Sequence, residues 1–82
     1  MEYKDFYHIA KHANENWKAN FTEEEIACYA YDYLCEFEYS KRTGKATDIM
    51  KTLCQHLKED ADNGDMDAEF WFATISKEIV LA

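Results

Sequence analysis

Apolar side chains along this chain recur at helical spacing when each segment is wound at about 100° per residue. Tyr3, Phe6, Ile9, Ala10, Ala13 and Trp17 gather on one face of a segment spanning 2–18, with Lys4, His8, Lys11, His12, Glu15 and Lys18 on the other. That is an amphipathic helix with a wide apolar stripe. Thr22-Glu23-Glu24-Glu25 then reads as a capping box, with Thr22 as N-cap and Phe21 and Ile26 at the spacing of a hydrophobic staple. The second helix it opens is predicted over 22–43, where Lys41 and Arg42 suit the last turn and Gly44 the residue beyond it. Thr47 and Asp48 start a third helix, 48–62, with Ile49, Met50, Leu53, Cys54, Leu57 and Ala61 on one face. Asn63-Gly64 is the next turn. Asp65 or Asp67 caps a fourth helix, 66–81, whose face carries Ala68, Trp71, Phe72, Ile75 and Ile79. Proline is absent and glycine occurs twice, which fits continuous helices better than a turn-rich β fold.

The fold class expected is therefore all-α, a compact bundle of about four helices forming a single domain, 1–82. Phe6, Trp17, Ile26, Leu34, Phe37, Leu53, Leu57, Trp71 and Ile75 are the predicted core. The second helix differs from the others in having two apolar faces. Ile26, Ala30, Tyr33, Leu34 and Phe37 form one; Cys28, Tyr31, Cys35 and Tyr39 form another roughly 160° away. Glu25, Asp32 and Glu36 lie between them. Either this helix is central and packs on both sides, or the Tyr/Cys stripe is a contact surface, since Tyr joins area and rigidity to a polar tip. The fourth helix has a similar second face of Met66, Phe70, Ala73 and Val80.

Charge narrows the partners. Seventeen acidic against nine basic residues leave a net charge of −8, which disfavours direct binding to nucleic acid or to an anionic membrane. No apolar run approaches the roughly 18 residues of a membrane span, and the N-terminus does not read as a secretory signal. Three cysteines, an odd number, fit cytoplasmic thiols better than a disulfide framework. Cys28 and Cys35 are about 10.5 Å apart along a helix, beyond the roughly 7 Å that a disulfide spans. All three cysteines read as small buried hydrophobes.

Motifs for catalysis or metal binding are weak. His8 and His12, at i and i+4 with Asp5 and Glu15 nearby, are the one metal-like pair, but the glutamate of an HExxH motif is missing. The run from Glu59 to Glu69 is acidic. Aligning Gly64 with the glycine of a calcium loop leaves Ala61 and Phe70 where ligands belong, so these acids read as helix caps and turn solvation. Thr43-Gly44-Lys45-Ala46-Thr47 lacks the lead of a phosphate-binding loop, and neither the third nor the fourth helix is basic enough to read DNA. No nucleophile–base set or cofactor fingerprint is found, so no enzyme activity, cofactor or resident metal is expected.

What remains is a small acidic, aromatic-rich helical protein with spare apolar faces. Carboxylates along helix faces can occupy positions that phosphates otherwise take on a basic partner. In size, charge and simplicity the whole chain resembles the small acidic inhibitor proteins of phages and mobile elements, of the anti-CRISPR and anti-restriction type. The resemblance implies an inhibitor that occupies a basic, nucleic-acid-binding surface of a target protein. The partner-binding residues expected are Glu25, Tyr31, Asp32, Cys35, Glu36, Tyr39, Asp60, Asp62, Asp65 and Asp67. The competing expectation is a homo-oligomeric accessory protein, such as a homodimer, using the Tyr/Cys face of the second helix as its interface.

Overall fold

The computed structural model describes residues 1–79 and contains four helices: α1 (Tyr3–Trp17), α2 (Glu23–Thr43), α3 (Asp48–Asp62) and α4 (Met66–Glu78). There is no strand among the described residues, and the protein is all-α. The fourth helix, expected to run to 81, ends at Glu78, with Ile79 in extended backbone (φ −128°, ψ 155°); Val80, expected on its second face, and Leu81 lie outside the described residues. By packing, the chain divides into two compact units, Met1–Cys35 and the part from Glu36 onward.

In the first unit the middle of α1 is buried through Phe6, Ile9, Ala10 and Ala13, and the first half of α2 through Ile26 and Ala30. The α1 start uses a cap the sequence did not advertise: the Asp5 carboxylate accepts from the Glu2 backbone N–H at 2.8 Å. At its other end Lys18 turns into the left-handed region (φ 52°), and Ala19 N–H donates to the Asn14 carbonyl at 3.2 Å. The Asn14 side chain then holds the connection, its Oδ1 accepting from Phe21 N–H at 2.8 Å. The Tyr7 hydroxyl donates to the Glu23 carboxylate, tying α1 to the first turn of α2.

In the second unit Phe37 and Ser40 on the last turns of α2 are buried, as are Ala46, Met50, Leu53, Cys54, Leu57, Ala68, Ile75 and Ile79. Helix α3 packs against α4. Gly44 (φ 73°) ends α2, with its N–H on the Ser40 carbonyl at 2.8 Å. Asn63-Gly64 forms a Schellman turn: Asp65 N–H reaches the Asp60 carbonyl and Gly64 N–H the Ala61 carbonyl, each at 3.0 Å.

The predicted core needs correction at its edges. Trp17 is 37% exposed, and Leu34 and Trp71 are only half-buried. Tyr3 and Ile49, assigned to the apolar faces of α1 and α3, are exposed too. Three of these, Tyr3, Trp17 and Ile49, lie in the first or last turn of a helix, where fewer neighbours flank a side chain than in mid-helix. Trp71 is so large that full burial is uncommon for its type. Cys28 and Cys35 are exposed, against the expectation that all three cysteines are buried; only Cys54 is. The two exposed thiols lie on the side of α2 away from Ile26, Ala30 and Phe37.

Candidate functional site

The N-terminal half of α2 builds an open cleft of about 560 Å³, lined by Thr22, Glu24, Glu25, Cys28, Tyr29 and Asp32. Thr22, Glu24 and Glu25 of that lining belong to the helix start. The Thr22 hydroxyl accepts from Glu25 N–H at 3.2 Å, and a Glu25 carboxylate oxygen accepts from Thr22 N–H at 3.3 Å. This reciprocal cap holds Glu25 close to the backbone, while Glu24 and Asp32 project as exposed carboxylates. An apolar wall accompanies them: the Tyr29 ring lies 4.9 Å from Phe21 and 6.3 Å from Tyr33, centroid to centroid. Burial, followed by the charges of Tyr29 and Asp32, pushes the Tyr33 phenol above its ordinary value. The hydrogen bond to Glu23 does the same to Tyr7.

Of the residues picked from sequence, the cleft unites Glu25 and Asp32. Tyr31 and Cys35 are exposed on α2 in the same unit, Tyr31 at 60%. Sequence reasoning missed Glu24 and Tyr29. The signal was present, because Tyr29 falls one turn after Glu25 and one turn before Tyr33, which sets an aromatic ring beside the carboxylates.

In the second unit Glu36 is half-buried and Tyr39 is 48% exposed, with the Arg42 guanidinium 5.8 Å from its ring centre. The acids of the α3–α4 turn have divided duties. Asp65 is the N-cap of α4, its Oδ1 accepting from Ala68 N–H at 3.0 Å, and Asp60 is half-buried. Asp62 and Asp67 are exposed. On the second face of α4, Met66 is 80% and Phe70 62% exposed.

His8, Lys11, His12 and Glu15 line a shallow depression of about 180 Å³ on α1, and His12 Nε2 lies 3.1 Å from Asn16 Nδ2. Among the described residues no three His, Cys, Asp or Glu side chains are grouped to hold a metal ion, so His8 and His12 offer at most a pair of ligands. None of the described helices is long and apolar enough to cross a membrane. No family model, curated protein or solved structure matches the chain.

Proposed function

We propose that this protein is a small acidic binding module that docks on a basic surface of another protein and, by occupying the place of nucleic-acid phosphates, acts as an inhibitor. The observation that carries the reading is the α2 cleft, where exposed Glu24 and Asp32 stand beside the Tyr29 ring. Carboxylates accept bidentate, charge-assisted hydrogen bonds from arginine, and a tyrosine face attracts the same guanidinium. The net charge of −8 adds a field that speeds encounter with a basic partner. Free thiols fit a cytoplasmic setting.

Affinity capture from a cell extract at low salt, followed by mass spectrometry, tests this. The retained protein should carry a basic nucleic-acid channel, should be released by added nucleic acid and by rising salt, and should escape the Asp32→Lys and Asp62→Lys variants. Exposed charge pairs are screened beyond about 8 Å at physiological ionic strength, so the salt effect must be large. Binding that ignores both salt and these reversals would refute the mimicry.

A second reading has its own support. Tyr31, Cys35 and Tyr39 are all exposed on the single chain, which favours self-association through that face of α2.

A further inference from the structure

Helix α1 has one outward face, because Phe6, Ile9, Ala10 and Ala13 commit its other side to the interior of the first unit. His8 and His12 stand on the outward face one turn apart, His8 exposed and His12 half-buried. With Lys11 and Glu15 they line the depression of about 180 Å³. All four belong to one continuous helix, so their spacing follows from α1 alone. Residues at i and i+4 of a helix have Cβ atoms about 5–6 Å apart. Two imidazoles at that separation can close on one ion at the roughly 2.0–2.1 Å of a metal–nitrogen bond. His12 also shows the lone pair such a bond needs. Asn16 Nδ2 lies 3.1 Å from its Nε2 and, as an amide nitrogen, can only donate, so the ring nitrogen is the acceptor.

We propose that His8 and His12 form a two-imidazole chelate for a late first-row divalent ion, of the class of nickel, copper and zinc. Imidazole selects these ions, whereas carboxylate and carbonyl oxygens suit magnesium and calcium. The Glu15 carboxylate bounds the same depression and attracts the cation, while the Lys11 ammonium opposes it. Entry of the ion displaces the Asn16 amide from His12, at the cost of one exposed hydrogen bond. Two protein ligands leave the remaining positions of the ion to water, so it exchanges with solution and is no closed structural centre. The two rings share a face only while this turn is helical. The ion therefore binds the folded chain and stabilises it. The chelate shares no residue with the α2 cleft and does not depend on the partner proposed above.

Isothermal titration with nickel chloride tests this, on the full chain carrying Cys28→Ser and Cys35→Ser so that the exposed thiols take no part. One ion should bind per chain. His8→Gln and His12→Gln should each weaken binding at least about ten-fold, since either leaves a single imidazole. Lys11→Gln should tighten binding and Glu15→Gln should loosen it, each by less than the loss of a ring. Magnesium and calcium in excess should not compete. The melting temperature should rise with nickel, and neither histidine variant should show the rise. Melting without metal verifies that the variants fold alike. Lys11 and Glu15 are exposed, so their variants decide the matter even where a histidine variant melts early, and unchanged affinity in both would then overturn the placement. An absence of saturable binding overturns the chelate. So does a loss confined to one histidine variant, because a chelate needs both rings. Binding equal in wild type and both histidine variants puts the ion elsewhere, at His56 or the terminal amine, and refutes the pair.

Discussion

Cys54 is 2% exposed, and burial pushes its thiol up to about 11 from an ordinary 9.0. Cys28 and Cys35 are exposed on α2. The same side chain is thus a core hydrophobe in one place and an accessible nucleophile in two others. Alkylation of the native protein at mildly alkaline pH, read by peptide mass spectrometry, should label Cys28 and Cys35 and spare Cys54 until the chain is denatured. Equal labelling of all three would refute the assignment. The same burial fixes a pH dependence. Folding raises this pKa, so the stability held by the protonated thiol is complete below 9.0 and is lost as pH climbs from there through about 11. Cys54→Ala should flatten that part of the pH–stability curve. Ser40 is a different buried case: it is fully enclosed in the second unit, and its hydroxyl has no hydrogen-bond partner among the described residues. Such a group costs stability on burial without returning it.

Helix ends account for much of how the elements are placed. Thr22, Thr47 and Asp65 each accept from the backbone N–H three residues on, and Gly44 and Gly64 take the positive φ values that end α2 and α3. Thr22→Ala should cost about 0.5–2 kcal/mol in chemical denaturation, while Thr22→Ser should be nearly neutral because the acceptor oxygen survives. Equal losses would mean that the threonine methyl matters and the cap does not. Its failure would also disturb the cleft, because the partner of Thr22 in the cap is Glu25. The Glu2–Asp5 cap on α1 escaped the sequence reading because glutamate is not a favoured N-cap residue, and only the folded backbone shows Asp5 reaching back.

For the molecule as a whole, a charge of −8 sits beside large exposed apolar groups: Tyr31, Tyr39, Met66 and Phe70. Mutual repulsion between copies is strong at neutral pH and vanishes near the isoelectric point of about 4.7. Light scattering across an acid titration should therefore peak near pH 4.7, and Met66→Ser with Phe70→Ser should lower the peak without shifting it. A peak unchanged by these substitutions would place the adhesive surface elsewhere.

Elements and their limits were legible in the sequence because they depend on neighbours three or four residues away. The Thr22 box, Gly44, Thr47 and Asn63-Gly64 mark ends that the structure reproduces to within a residue or two. The core positions Phe6, Ile26, Phe37, Leu53, Leu57 and Ile75 were legible for the same reason, since periodicity names the inward face. Periodicity carries no information about how far a covering neighbour extends. Trp17 and Ile49 repeat in phase with buried residues and are nonetheless wet. The Tyr/Cys stripe had two readings in sequence, buried or open, and helical phase was identical under both. Only the tertiary structure decided that Cys28, Tyr31, Cys35 and Tyr39 are exposed, because burial belongs to segments distant in the chain while phase belongs to the helix alone.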